Sequence, residues 1–409
     1  MTQIPLQLIQ DNNTLKVAIA AFHSQKPMFL AIDTEFTRRT TYWPRLELIQ
    51  IGIPGEPILV IDCKIITDWS PLLSLFSDTS IVKVFHSARQ DLEGFLRLFK
   101  TLPSPIFDIQ IAAAFMGFGH SIGLGDLVEQ LLGESPNKSE QHSNWEMRPL
   151  RPAQISYAAM DAHYLIELYP TVCEQLESLE RHTWITEFCE LLEQPSRLVT
   201  NPEHAWVKLR SHLKNETELF FCKEFSTLRE QLAQESNYNR TRVINDADLI
   251  QLCQQMAIYV RDKKSDTQVV EFEEQEQITL LSLHPLPPLD KVTPEFLAAF
   301  SDVQNASFEA FYSIQNFRQL RSHLRYGLGT MFTGTQQKQL FDAKVRLNAE
   351  ANRLVMPMHY LAPSAMLDDY ILMPCDTHPL VTGWRKNIIQ PIMCDVMTPE
   401  VPPEHFKEE

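Results

Sequence analysis

Met28-Phe29-Leu30-Ala31-Ile32-Asp33-Thr34-Glu35 is an apolar run that ends on two acids, and those acids decide how the chain is read. Met28 to Thr34 has the length and composition of a buried strand. Asp33 and Glu35, two residues apart, then project from the same face. A carboxylate withdrawn from water without a partner is very costly, so two of them on a buried face call for cations.

Further along, the apolar strand Ile81 to Phe85 leads into His86-Ser87-Ala88-Arg89-Gln90-Asp91-Leu92-Glu93, then Phe95, Leu96 and Phe99 at helical spacing. Ser87 is placed to cap that helix. Asp91 shares its inward face with Phe95. A third segment, from Tyr157 to Leu168, is a helix on which Tyr157, Ala158, Asp161, Leu165 and Leu168 form one stripe, so Tyr157 and Asp161 lie one turn apart.

Singly, each feature has an ordinary reading. Paired acids end many solvated strands, an Asp early in a helix serves its dipole, and a tyrosine on an apolar stripe is often core. Together, two strand acids, an acid after a later strand, and a Tyr and Asp one turn apart form a pattern that chance seldom assembles.

At these residues the sequence resembles the DEDD superfamily of 3′ to 5′ exonucleases, in the branch where a tyrosine precedes the last aspartate by four, and within it the ribonuclease D family. Asp33-Thr34-Glu35-Phe36 is similar to the first exonuclease motif, His86 to Leu92 to the second, and Tyr157 to Asp161 to the third. The text between them is similar as well: Thr41-Tyr42-Trp43-Pro44 and Leu48-Ile49-Gln50 after the first motif, then Lys138-Ser139-Glu140, Trp145 and Arg148-Pro149-Leu150 before the third. The likeness is strong from Ile4 to Leu192.

The resemblance implies a ribonuclease H-like α/β exonuclease domain, a mixed sheet with helices on both faces, followed by all-α helical domains. It implies two-metal phosphodiester hydrolysis, with two divalent ions roughly 3.5 to 4 Å apart. By similarity Asp33 bridges both ions, Glu35 and Asp161 complete one site, and Asp91 holds the second ion, directly or through water. Oxygen-only ligands favour magnesium or manganese over zinc. Tyr157 orients the attacking water, because a phenol is a poor base at neutral pH. Phe36 and His86 are candidate contacts to the terminal nucleotide; the alternatives are a core phenylalanine and a bonded structural histidine. The implied substrate is RNA with a free 3′ end, transfer-RNA precursors in particular. Two other readings stay open: a DNA 3′ to 5′ exonuclease, and a catalytically silent nucleic-acid-binding protein.

The composition suits this reading. The 409 residues are 44% hydrophobic, enough for two or three cores, and no apolar run is long enough to span a membrane. Met1 to Lys16 has no basic region followed by an apolar stretch, so no secretory signal is expected. Seven scattered cysteines without a C-x-x-C pair read as reduced thiols, and the protein is expected in the cytoplasm without an obligate protein partner. The net charge of −16 opposes a polyanionic substrate. Residues 1 to 170, however, hold 13 Lys and Arg against 18 Asp and Glu, and four of those acids are the expected metal ligands. A grip on RNA then falls to local basic residues, with Arg38, Arg39 and Arg45 as candidates and ordinary surface charge as the alternative.

After Leu192 the character changes. Pro195 to Pro202 reads as a linker, and helical spacing without strand alternation follows, in Glu216 to Gln234 and Asp246 to Met256. Within Phe225 to Leu252, the order LREQLAQESNYNRTRVINDADLIQL resembles the HRDC domain, a small helical nucleic-acid-binding module. Gln337 to Leu372, with Val381 to Arg385, is similar to a second, more divergent HRDC-like domain, with Met356, Met358 and Met366 as core filler. The expected domains are 1–194 (exonuclease), 203–283 (first HRDC) and 295–400 (second, HRDC-like). Packing on the catalytic domain is an alternative role for the helical parts.

Overall fold

The structure, a computed structural model, describes residues 4–265 and 332–398. The acidic run Glu271 to Glu276, the proline-rich stretch His284 to Pro294 and the expected limits at 283, 295 and 400 lie outside the described residues. Chain packing divides the molecule into two units: residues 4–37, 46–195 and 332–398 form one, and 38–45 with 196–265 the other. The grouping cuts across the stretches separated by composition. The loop after β2 belongs with the helices of the second unit, and the last helices belong with the sheet.

The first unit is built on six strands: β1 (Leu6–Ile9), β2 (Phe29–Thr37), β3 (Arg45–Gly52), β4 (Ile58–Asp62), β5 (Val82–Phe85) and β6 (Ile106–Asp108), in the order β1-β4-β3-β2-β5-β6. β1 runs parallel to β4, β2 to β5 and β5 to β6, while β3 is antiparallel to β4, with Ile49 opposite Ile61. The sheet is therefore mixed, as expected. The turn Pro54 to Pro57 that the prolines and Gly55 announce is where β3 folds back into β4.

The helices of this part are α1 (Asn12–Ser24), α2 (Ser70–Phe76), α3 (Arg89–Phe99), α4 (Ile109–Phe115), α5 (Leu124–Leu132), α6 (Pro152–Ser178) and α7 (His182–Glu190). Strand alternation sorts them onto faces. Phe29 and Ala31 of β2 and Val84 of β5 share one core with Ala158, Ala159, Ala162 and Leu165 of α6. Phe85 points the other way and meets Phe95 of α3, 6.2 Å between ring centres, which in turn meets Phe76 of α2. Helices thus cover both faces. Close approach of α6 is built in: a Cβ on Gly52 would stand 2.4 Å from Ile58 Cδ1 and 2.9 Å from Ile166 Cδ1.

In the second unit a one-turn α8 (Pro195–Leu198) precedes α9 (Glu216–Glu235), α10 (Arg240–Val243) and α11 (Asp246–Ser265). Its core is Trp206, Phe221, Phe225, Leu249 and Met256. Tyr42, buried, donates its hydroxyl to Glu230 at 2.5 Å, and Arg240 closes on the same carboxylate at 2.5 and 2.7 Å. A buried acid held by a guanidinium and a phenol is a satisfied network, which fixes the loop 38–45 onto α9 and α10.

The chain returns to the first unit with α12 (Gly334–Arg353), α13 (Met358–Leu361), α14 (Ser364–Leu372) and α15 (Lys386–Met397). Trp384 stacks on Trp184 of α7 at 4.7 Å and meets Phe115 of α4 edge-on at 5.6 Å. Arg181, buried, donates to the carbonyls of Phe115 and Leu354. Met356 is buried, and Met358 and Met366 are half-buried against the same core. Among the described residues no helix is long and apolar enough to cross a membrane, and all seven cysteines are free.

Candidate active site

β2 runs three residues past the expected end at Thr34, so Glu35 sits inside the strand. Its pleat turns Asp33 and Glu35 to the face covered by α6, where Asp161 approaches from the helix. Carboxylate oxygens of Asp33, Glu35 and Asp161 all lie within 4.8 Å of one another. Asp91 is not in that trio; it sits on α3, buried, with its carboxylate accepting the hydroxyl of Thr34. Thr34 is the residue between the two strand acids, so its side chain points away from them and ties the second motif to the first.

The site crowds like charges together. Burial, then the charges of Asp161, Asp91 and Glu35, hold Asp33 well above the usual carboxylate range. Burial and the charges of Asp161 and Asp91 push Glu35 up to about 9. Asp91 rises to about 7 through burial, against the pull of the Thr34 bond, and Asp161 to about 7 through burial, against a bond from Tyr157. Acids that repel one another in a buried place and offer only oxygen fit hard divalent cations. Asp33, Glu35 and Asp161, with Asp91 beside them, are thus a donor set suited to such ions.

Tyr157 lies half-buried one turn before Asp161 on α6, close enough for the two groups to interact. Burial, then the charges of Asp161 and Glu35, raise its phenol well above the ordinary value, so it stays protonated. α6 itself is anchored upstream. Arg148 donates to both oxygens of buried Asp62, at 2.6 and 2.7 Å, and to the carbonyls of Trp145 and Glu47, at 2.7 and 3.1 Å. Pro152 then opens the helix, its fixed φ suited to that position.

His86 and Phe36 are both half-buried. His86 Nε2 lies 3.1 Å from the carbonyl of Ile122; because a carbonyl only accepts, Nε2 carries the proton. Burial holds this imidazole below its ordinary value, keeping it neutral. Ser87 is not the helix cap that its hydroxyl suggested. It adopts φ +63°, α3 starts after Ala88 with no side-chain cap of its own, and the amides of Ser87 and Ala88 are taken by the carboxylate of Asp108. At φ +63° Ser87 lacks the extended backbone of an N-cap, so its hydroxyl is not set to accept from the amides of the first turn. Two participants were thus missed in the sequence, Thr34 and Asp108. For Asp108 a signal existed: an Asp between a short apolar run and a helical one is an N-cap pattern.

With this geometry in view, the comparisons are specific. Residues 6–177 match the family model described as a 3′-5′ exonuclease. The chain is similar to ribonuclease D of Gluconacetobacter diazotrophicus, 39% identical over 224 residues, 55% of this chain and 57% of that one. It is similar to ribonuclease D of Bartonella henselae, 35% identical over 247 residues, 60% of each. These matches span less than two thirds of the curated relatives' length. Its fold is similar to the crystal structure of Escherichia coli RNase D, with a TM-score of 0.74 and 26% identity, covering 96% of this chain and 98% of that one. The exonuclease model, these relatives and that fold agree in making the chain similar to the ribonuclease D family of 3′-5′ exonucleases.

Proposed function

We propose that the protein is a 3′-5′ exoribonuclease that hydrolyses RNA from its 3′ end with two divalent ions, magnesium or manganese. The observation that carries this reading is the trio Asp33, Glu35 and Asp161, half-buried with oxygens within 4.8 Å of one another, with Asp91 beside it and Tyr157 one helical turn before Asp161. In this reading Asp33, Glu35, Asp161 and Asp91 would hold the ions, with Asp33 shared between them. Such ions lower the pKa of a bound water and offset charge developing on phosphate oxygens. Tyr157 orients the attacking water through its hydroxyl, since its phenol is held too far above neutrality to take a proton. Phe36 stacks on the terminal base, and neutral His86 meets the terminal nucleotide.

The substrate is RNA, transfer-RNA precursors in particular, handled in the cytoplasm without an obligate protein partner. The printed description of the similar E. coli protein, an exoribonuclease involved in structured RNA processing, supports this class. So does the second unit, read as an HRDC-type module of residues 203–283, with 295–400 as a second, HRDC-like one. There Arg242 lies over the Tyr238 ring at 3.8 Å, and a guanidinium stacked on an aromatic ring turns its N–H edge sideways, where phosphate can meet it. Arg38 and Arg240 lie over Tyr42 at 5.9 and 4.8 Å. Exposed Arg39 extends this basic group, and Arg45 follows in β3.

The test is digestion of matched RNA and DNA oligonucleotides, linear and circular, with magnesium, manganese or excess chelator. Mononucleotides released from linear RNA alone, only with metal, is the expected result. Cutting of circular RNA would overturn the direction, preference for DNA would overturn the substrate, and binding without cleavage would leave a silent nucleic-acid-binding protein.

A further inference from the structure

Asp108 lies outside the carboxylate cluster, 3% exposed at the end of β6, yet the amides at the start of two helices turn to it. Oδ1 accepts from Ser87 N at 3.0 Å, Gln110 N at 2.9 Å and, more loosely, Ile111 N at 3.4 Å; Oδ2 accepts from Ala88 N at 2.9 Å. The first and last of these bonds tie down the two residues that launch α3, three positions before Asp91. They hold Ser87 at φ +63°, a conformation that costs a non-glycine residue about 1 kcal/mol or more. The middle bonds cap α4, whose Gln110 side chain donates to the Ile122 carbonyl at 3.0 Å. That carbonyl is the one His86 meets. Asp108 is itself held, its amide donating to Cys189 Sγ at 3.4 Å and the neighbouring Ile106 amide to Glu193 at 2.8 Å.

We propose that Asp108 is a positioning residue of the nuclease site: by tethering Ser87 and Ala88 it sets where α3 presents Asp91, and by capping α4 it sets where His86 points. This rests on the reading of Asp91 as a metal ligand. Oδ1 serves both the cap of α4 and Ser87 N, and the second oxygen, spent on Ala88 N, completes the tether.

Two substitutions separate the roles. Asp108→Ser keeps a good cap for α4 but is too short to reach Ser87 and Ala88 as well. Asp108→Asn keeps one acceptor and turns an amide toward the remaining donors. Manganese alone, titrated into the full chain by calorimetry, is the probe, together with melting temperature and amide exchange at Ser87 and Ala88. The expected result is a Ser variant that melts close to the wild type but binds manganese about 10-fold more weakly, with fast exchange at both amides. In Asp91→Asn/Asp108→Ser the affinity should equal that of Asp91→Asn alone, because the tether acts through Asp91. A folded Asp108→Ser protein that binds manganese like the wild type, or additive losses in the double variant, would overturn the proposal. So would failure of both Asp108 variants to fold, which would make the residue structural. A wild type that binds no manganese sinks the metal reading itself and is seen before any variant is made.

Discussion

Thr34 donates its hydroxyl to the carboxylate of Asp91, so the first and second acidic motifs are joined by one hydrogen bond from the residue that separates Asp33 from Glu35. A strand side chain pointing away from the cluster therefore holds the acid that the cluster lacks. Removing a donor from a buried charged group costs about 1–3 kcal/mol. Thr34→Val, which keeps the shape, should lower the melting temperature of the metal-free protein at pH 8 and raise the metal concentration for half-maximal rate about 10-fold. An unchanged metal dependence would show that Asp91 is held without Thr34.

Asp33→Asn should lower the hydrolysis rate by orders of magnitude while leaving the fold intact. The same change relieves repulsion in a buried cluster, so the metal-free variant should melt higher than the wild type at pH 8, by a few degrees for roughly 1 kcal/mol. Circular dichroism melts with chelator, beside a nuclease assay with manganese, measure both. Residual activity near the wild-type level would refute the role of Asp33 as a shared ligand.

The pH dependence follows from the sign of the shifts. Asp33, Glu35, Asp91 and Asp161 hold protons more tightly folded than unfolded, where their pKa values are near 4. Their contribution to stability is therefore fully present below about pH 4 and is lost as pH rises through about 7 to 9. Metal-free protein should melt lower at pH 9 than at pH 6, and a divalent cation should restore more at pH 9. A metal-free stability that climbs between pH 6 and 9 would contradict the mutual burial of these acids.

Tyr157→Phe removes a hydroxyl and keeps the ring. The chemical step should slow by about 10- to 1000-fold, equal to about 1.4 to 4 kcal/mol of transition-state stabilisation, with manganese affinity within a few fold of the wild type. Single-turnover kinetics and calorimetry on one preparation decide. Normal turnover with a lowered melting temperature would make Tyr157 a core residue only.

For the RNA grip, Arg39→Ala combined with Arg242→Ala in the Asp33→Asn background should weaken binding of a single-stranded RNA and flatten its salt dependence by up to about two charges. Filter binding across a salt series reads this directly. An unchanged slope would place the contact elsewhere.

The acids were legible in the sequence because period and position suffice for them. An apolar run forces alternation, so Asp33 and Glu35 share a face, and 3.6 residues per turn put Tyr157 over Asp161. The mixed sheet, by contrast, was implied by the family resemblance and not by periodicity. What the sequence could not determine were contacts between residues far apart along the chain, because local periodicity says which way a side chain points and not what waits there. Tertiary structure alone decided that Thr34 meets Asp91 across 57 positions, and that Asp108 rather than Ser87 satisfies the start of α3. It alone decided that the loop 38–45 joins α9 and α10 through Tyr42 and Glu230. Composition separated the last helices from the exonuclease part, yet they share its unit: buried Arg181 and the stacked pair Trp184 and Trp384 find their partners only once the chain is folded, when desolvation makes every unpaired polar group costly and every exposed ring worth covering.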